Sequence, residues 1–283
     1  MFNHKSLPCL ELTMDDPAKK EFIQQLFDTV SEGYDRSPLN FFQYSADHLN
    51  DYLKIKPEEH VLDVATGTGR AALTLAQQFP HARFTGVDMS SGMLNQAKDK
   101  AAKLQLNNVV FCVQDIEQLN FPDNHFDHAN CSFCLFFIDD MPGVLNQVAK
   151  KVKSGGAILS TCFDENAFQP LVSKFYDRIQ LYGVELPEVG FKRLADESKS
   201  TNLYRNVGLE NIKTYRKNIS YNLPDANAWW EIIWYAGFRG LVSQLNERDQ
   251  SVFREEHLFE IQQLASEQGI PLEIEVIYTV GTK

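Results

Sequence analysis

Apolar residues recur along this chain with two different periods, and the switches between them lay out its elements. Between residues 61 and 160, short apolar runs alternate with stripes of helical spacing. The pattern predicts strands over 61–65, 83–87, 109–114, 126–132 and 156–163, with helices over 70–79, 91–104 and 141–152. Met93, Leu94, Ala97, Ala101 and Leu104 give one of these helices its buried face. Strands alternating with helices of this length predict a parallel sheet covered on both faces. Ahead of this block, Phe22, Ile23, Leu26, Phe27 and Val30 form another helical stripe. Asp16-Pro17 starts it, with a capping carboxylate and then proline at the first helical position. The stripe runs to Gly33-Tyr34, and a loop around Ser37-Pro38 and Phe41-Phe42 follows. Ala46, Leu49 and Leu53 mark a second helix that must end before Pro57.

Residues 164–270 are richer in aromatics and less regular. A strand is expected near 212–221, on Ile212, Tyr215 and Ile219. Asp225 is expected to cap a helix carrying Trp229, Trp230, Ile233 and Trp234. Another helix is expected over 247–268, stopped by Gly269 and Pro271. Leu272 to Val280 alternates as a final strand.

Composition narrows the function classes. A chain of 283 residues has room for one catalytic domain with an added cap. The net charge of −11 disfavours nucleic acid and anionic membrane surfaces, because phosphate binding needs clustered Lys and Arg. Lys150-Lys151-Val152-Lys153 is the densest basic run. His4, Lys5 and Glu11 stand where a signal peptide needs an apolar stretch. The longest apolar run, around 131–138, is too short to span a bilayer. Five cysteines (Cys9, Cys112, Cys131, Cys134, Cys162) on a chain without a secretion signal favour reduced thiols and a cytoplasmic location.

The densest chemical signal is Val61-Leu62-Asp63-Val64-Ala65-Thr66-Gly67-Thr68-Gly69-Arg70. An apolar strand runs into a glycine turn, and a helix starts directly after it. Glycines there let a ligand approach the backbone, and the helix N-terminus offers unpaired N–H groups to an anionic group. Gly67 to Ala72 also fits the dinucleotide fingerprint G-x-G-x-x-A, and Asp88 lies 19 residues past Gly69, where a carboxylate binds a ribose diol in either family. Two features separate the readings. Asp63 puts a charge inside the first strand, which suits a ligand carrying an ammonium group. About 60 residues also precede that strand, where a dinucleotide domain often begins near its N-terminus.

Asp63 to Gly69, read as D-x-x-x-G-x-G, resembles motif I of the class I S-adenosylmethionine-dependent methyltransferases. Further segments follow in that family's order: Val87-Asp88-Met89-Ser90, Gln114-Asp115-Ile116, Phe126 to Phe133, and Lys153 to Leu159. Within the class, Phe27 to Asp35 resembles the N-terminal lid of the ubiquinone/menaquinone-biosynthesis C-methyltransferases, a likeness that ends by about residue 160. The resemblance implies a doubly wound, mostly parallel seven-stranded Rossmann-like α/β sheet. Its last two strands would form a hairpin-like edge, with an insert between them above the ligand site. Residues 1–56 would form a helical lid, 57–163 the cofactor-binding core, and 164–283 the remaining core strands with an aromatic-rich helical cap.

The cofactor so implied is S-adenosyl-L-methionine, with S-adenosyl-L-homocysteine as product. Ala65, Thr66, Gly67, Thr68 and Gly69 would bring backbone to its methionine part, and Asp63 would compensate its ammonium. Asp88 would take both ribose hydroxyls in charge-assisted hydrogen bonds. Met89 and Met93 would lie at the adenine, whose amino group Asp115 would accept while the Ile116 N–H donates to a ring nitrogen. Cys131 and Ser132 would pass the reacting end, and Tyr34 would close over the sulfonium.

Other groups have two readings each. Cys131-x-x-Cys134 is better read as small soft residues lining a pocket than as a redox or zinc pair, and no metal is expected. His128 falls inside a strand and reads as structural. Asp164, with Glu165, is a candidate for a general base or else a loop-capping carboxylate. The Trp229, Trp230 and Trp234 cluster, with Tyr235, Phe238 and Arg239, is either a substrate wall or the insert's own core, Arg239 being a candidate anchor for an anionic group; Phe136 and Phe163 are further substrate-pocket candidates. The expected activity is methyl transfer to a small, apolar or aromatic acceptor by a monomer or homodimer. The rivals are a non-catalytic cofactor-binding module and an NAD(P)-dependent oxidoreductase.

Overall fold

Alternation inside the first strand decides how the sheet is buried. In β1 (His60–Val64), Val61 and Asp63 face one side of the sheet while Leu62 and Val64 face the other. The computed structural model describes residues 17–186 and 190–283; Cys9, Asp16 and the N-terminal His4, Lys5 and Glu11 lie outside the described residues, as do the side chains of Pro17, Ala18, Lys19 and Phe22. β1 pairs in parallel with β2 (Arg83–Asp88) and β4 (His128–Ser132). β3 (Val109–Val113) extends the sheet beyond β2, and β5 (Ala157–Phe163) beyond β4. β9 (Glu275–Thr282) runs antiparallel against β5 and against β6 (Glu210–Asn218) at the edge. The order is β3-β2-β1-β4-β5-β9-β6, a seven-stranded sheet with one reversed strand.

Helices α4 (Arg70–Gln78) and α5 (Ser91–Lys103) follow β1 and β2, and their Leu75, Leu94 and Ala97 pack with Val61 and Phe84. On the other face α6 (Met141–Lys151) and α8 (Glu197–Asn206) bury Leu145, Val148 and Tyr204 against Leu62, Val64 and Ala129. Ser90 and Asp140 cap α5 and α6 by accepting from the Met93 and Gly143 N–H groups. The resulting sheet presents the carboxyl ends of β1, β2 and β4 side by side, where ligands bind in folds of this kind.

The N-terminal segment crosses those ends. It comprises α1 (Pro17–Val30), α2 (Phe41–Ala46) and α3 (Asn50–Leu53). The loop expected around Phe41-Phe42 is instead α2, and the helix expected on Ala46, Leu49 and Leu53 forms only as the short α3; between them the Ser45 carbonyl accepts from the Tyr278 hydroxyl at 3.0 Å and from His48 N–H at 3.2 Å. Between β6 and β9 the chain inserts β7 (Tyr221–Leu223), α9 (Ala226–Tyr235), α10 (Arg239–Val242), α11 (Glu247–Gln262) and β8 (Ile270–Leu272). Asp225 caps α9 as expected, accepting from Ala228 N–H. Two boundaries differ from expectation. α11 ends at Gln262, and Gly269 closes a turn with Ser266 instead of stopping a helix. Leu272 belongs to a two-stranded ribbon of β7 with β8, so the last core strand starts at Glu275. The insert extends the core of this sheet face, where its Trp229, Ile232, Phe253 and Ile261 pack with Phe175 of α7 (Leu171–Gln180).

Two glycines of the first turn have different duties. A Cβ on Gly69 (φ 82°) would lie 2.9 Å from the Ala97 Cβ and 3.1 Å from Phe111 Cζ, so this glycine lets α4 pack against α5 and β3. A Cβ on Gly67 (φ 56°) would meet nothing within 4 Å. Gly69→Ala is expected to cost about 2–3 kcal/mol, from strain plus overpacking. Gly67→Ala is expected to cost only about 1 kcal/mol, from the left-handed conformation. Urea unfolding of the two variants measures the difference.

Candidate active site

The turn after β1 forms the floor of a cavity of ≈ 1190 Å³, its open mouth included. Asp63, Ala65, Thr66, Gly67 and Thr68 line it. Ala65 holds a left-handed φ of 52°, an uncommon conformation for a residue with a Cβ, which turns the chain sharply out of the strand. α4 starts at Gly69 without a side-chain cap, and the Ala72 N–H of its first turn donates to the Asp63 carboxylate.

Two buried carboxylates stand at the ends of adjacent strands. Asp63 accepts from the Thr66 hydroxyl at 2.5 Å and from the Asn130 amide at 2.6 Å. Burial outweighs these donors and pushes its carboxyl up to about 6. Asp88 accepts from Gly67 N–H at 2.8 Å and Ser90 N–H at 2.9 Å, and burial raises it as well. Met89, Met93, Asp115 and Ile116 continue the lining on the side of β2 and β3.

The N-terminal segment closes over this floor at three places, each next to a strand-end loop. Lys20 reaches Asp115 at 2.8 Å and Glu117 at 2.6 Å, beyond β3. Asp28 accepts from the Ser90 hydroxyl at 2.6 Å and Gly92 N–H at 2.8 Å, beyond β2. Asp35 accepts from the Thr68 hydroxyl at 2.8 Å, Arg70 at 2.7 Å and Lys100 at 2.6 Å, beyond β1. Burial alone would raise the Asp35 carboxyl, but Lys100 and Arg70 together hold it below its ordinary value. Tyr34 lines the cavity and stacks on Phe42 at 5.2 Å; burial holds its phenol well above the usual range.

The other half of the cavity is apolar. Phe27, Phe42, Ala46, Phe133, Phe137 and Ile138 line it, and Ser132 and Cys134, which flank Phe133 in the chain, belong to the lining as well. Phe133 leaves β4 at a φ of 53°, the second non-glycine lining residue in the left-handed region. Strain of this kind persists where the surroundings hold it, and gathers at ligand sites.

Of the expected cofactor residues, Gly69 and Cys131 do not line the cavity. Gly69 is spent on helix packing, as above. Cys131 is fully buried behind the wall, and its hydrogen bond to Cys134, followed by burial, raises the Cys134 thiol. Phe163 stands behind Phe133, stacked at 4.5 Å, and Phe136 is buried beside Phe137. Trp230 and Trp234 line a second, open hollow with Arg36, Tyr235 and Arg254, and Arg239 lies over the Trp234 ring at 4.5 Å. The substrate-wall expectation therefore falls on residues outside the first cavity, because α9 turns Trp229 and Ile233 inward and Trp230 and Trp234 outward. Asp164 is buried away from the cavity, bonded to Arg216 and capping the Asn166 N–H. It takes the loop-capping role. His128 bridges Glu59 at 3.1 Å and the Ala157 N–H at 3.0 Å, which is structural.

Sequence reasoning missed Lys20, Asp28, Asp35 and Asn130. Asp28 and Asp35 lie inside the stretch that resembles a lid, and Asn130 shows the signal that singled out Asp63, a polar residue in an apolar strand.

Comparison with known proteins agrees with this geometry. Residues 55–221 match the family model described as a methyltransferase domain. Aklanonic acid methyltransferase DauC of Streptomyces sp. (strain C5) is 31% identical over 149 residues, which is 52% of this chain and 68% of that one. Demethylmenaquinone methyltransferase of Staphylococcus epidermidis is 26% identical over 233 residues, 81% of this chain and 89% of that one. The solved structure of the [4+2]-cyclase SpnF superposes with a TM-score of 0.58 at 16% identity, covering 94% of each chain. The chain belongs to the methyltransferase-domain family. It is a class I, S-adenosylmethionine-dependent methyltransferase of small molecules, related to the menaquinone-type enzymes. No helix among the described residues is long and apolar enough to cross a membrane.

Asp35→Ala would leave Lys100 and Arg70 without their shared carboxylate, and should cost about 2 kcal/mol by urea unfolding at pH 7. Because the folded carboxyl is depressed, its contribution is present above the unfolded value of about 4 and is lost as pH falls through the folded one. The gap between wild type and variant should therefore narrow steadily below about pH 4.

Proposed function

We propose that this enzyme transfers the methyl group to a small apolar or aromatic acceptor seated against Phe27, Phe42, Phe133 and Phe137. The observation that carries the reading is the division of the cavity into a half with buried carboxylates and a half walled by phenyl rings. Aromatic walls take flat apolar ring systems by area burial and edge-to-face contact. The names of the two relatives, which act on aklanonic acid and demethylmenaquinone, support an acceptor of that kind.

The residues present fit the cofactor. Gly67 leaves open space where a side chain would stand, which suits close approach by the methionine part, with Ala65, Thr66 and Thr68 beside it. Among these lining residues, Asp63 would take the ammonium, Asp88 the ribose and Asp115 with Ile116 the adenine edge, while Met89 and Met93 would offer soft apolar contact. When bound, S-adenosylmethionine supplies a methyl already activated by positive sulfur. The protein's part is then to align the acceptor and exclude water, and alignment contributes up to roughly 7–11 kcal/mol in well-oriented reactions. Ser132 and Cys134 belong to the lining, and Tyr34, held neutral, covers the reacting region as a hydroxyl and not as a phenolate.

Residues 1–56 act in this reading as the lid, 57–163 hold the cofactor, and 164–283 complete the sheet and carry the cap. Its three attachments beside the strand-end loops support the lid role. The net charge of −11 supports a protein without a nucleic-acid partner, and the free Cys112, Cys131, Cys134 and Cys162 suit a cytoplasmic one.

A panel of hydroxylated naphthalenes and polycyclic quinols, assayed for methyl transfer from labelled S-adenosylmethionine, tests the acceptor class. For an acceptor that turns over, Phe42→Ala and Phe133→Ala should each raise KM about tenfold, the loss of roughly 1.4 kcal/mol of apolar contact. Trp230→Ala should leave KM unchanged. Turnover confined to charged, non-aromatic acceptors would contradict the reading.

A further inference from the structure

Asn130 is fully buried in the middle of β4 and sits directly beside Asp63 in the sheet register. A carboxamide at that depth must have its groups satisfied, and both ends of this one are. Its Nδ2 donates to Asp63 Oδ1 at 2.6 Å, and its Oδ1 accepts from the Ser132 Oγ at 3.0 Å. On the other side of Asp63, Thr66 Oγ1 donates to Oδ2 at 2.5 Å. Four side chains from the turn and two neighbouring strands thus form one chain of hydrogen bonds under the cavity floor, and Thr66, Asp63 and Ser132 also line the cavity.

The directions in this chain are forced. An ionised carboxylate only accepts, so the amide nitrogen of Asn130 must face Asp63 and its oxygen must face Ser132. The Ser132 hydroxyl has a single proton, which is given to Asn130, and it turns lone pairs to the cavity. Asp63 keeps one of its roughly four lone-pair sites for a ligand, since the Thr66 hydroxyl, the Asn130 amide and the Ala72 N–H take the others. Both cavity groups therefore present acceptors. The donor from Asn130 also opposes the burial that raises Asp63, so its removal makes the carboxylate harder to ionise.

We propose that Asn130 is a positioning residue that fixes Asp63 and Ser132 as paired hydrogen-bond acceptors, so that this end of the cavity selects the ammonium group of an amino-acid ligand. The inference rests on the cofactor reading above and adds the residue that orients the carboxylate. Asn130 does not line the cavity and acts only through its two neighbours.

S-adenosylhomocysteine carries the ammonium and adenosine lacks it, so the two ligands separate this role from general damage. Calorimetric binding of both is measured on wild type, Asn130→Val and Asn130→Thr between pH 5 and 7. Wild-type affinity for S-adenosylhomocysteine should fall as pH drops below about 6, where Asp63 takes up a proton. In Asn130→Val that fall should begin about one pH unit higher, the equivalent of one lost hydrogen bond. At pH 5 the variant should bind S-adenosylhomocysteine about tenfold more weakly than wild type, a gap that narrows to about twofold at pH 7, while its adenosine affinity stays within about twofold throughout. Asn130→Thr, which keeps a donor, should recover part of the loss and remains informative if the valine variant does not fold. Equal losses for both ligands at every pH, or no loss for S-adenosylhomocysteine, would overturn the proposal while leaving the cofactor reading intact. A wild type that binds adenosine but not S-adenosylhomocysteine would overturn both.

Discussion

Keeping two carboxylates ionised inside a sheet is the constraint on which the rest of this site depends. Asp63 and Asp88 are 2% and 9% exposed, and their ordinary solvation is gone. A bare buried carboxylate would protonate. The fold answers by aiming donors at them: the Thr66 hydroxyl and Asn130 amide at one, the Gly67 and Ser90 N–H groups at the other. Each donor needs a particular backbone path. Gly67 reaches Asp88 because the turn after β1 takes left-handed conformations at Ala65, Gly67 and Gly69. That turn in turn needs the bare Cα atoms of Gly69 and Gly86, since a Cβ on Gly86 would lie 2.8 Å from Thr66 Oγ1. Packing, turn geometry and charge are one problem here.

The N-terminal segment is fastened to the same problem. Its anchors Lys20, Asp28 and Asp35 reach Asp115, Ser90 and Thr68, which face the cavity or adjoin Met89, a residue that does. Asp28 bonds to Ser90, which itself holds Asp88. The segment is therefore coupled to the strand-end loops through shared hydrogen bonds. Lys20 makes this coupling sharpest, because its ammonium holds Asp115, the carboxylate assigned to the adenine.

Much of the sheet was legible because β-to-α alternation between 61 and 160 leaves a strong periodic trace, and so was the turn after β1, where a charge, two glycines and a helix start coincide. The insert was less so. Trp229, Trp230 and Trp234 look alike as a cluster, yet one helix turn sorts them, with Trp229 donating to His257 inside the core and the other two facing outward. Periodicity around 46–53 suggested a helix that forms only as the short α3, and ahead of it the Ser45 carbonyl meets a hydroxyl from Tyr278, more than 200 residues away. Asp164 faced the right end of the sheet, but Arg216 from a distant strand claims it. Lys20 and Asp115 are 95 residues apart and carry no shared pattern. Contacts of that range are decided by the assembled sheet.

The central claim is that the buried carboxylates make this cavity a site for S-adenosylmethionine and its product. Thermal unfolding with S-adenosylhomocysteine, with NADH as the competing ligand, tests it in wild type and in Asp88→Ala. At 100 times its Kd a ligand specific to the folded state adds about 2.7 kcal/mol, a rise of a few degrees in Tm. The account predicts that rise with S-adenosylhomocysteine alone, and its loss in Asp88→Ala. A rise with NADH alone, or a full S-adenosylhomocysteine response in Asp88→Ala, would contradict it.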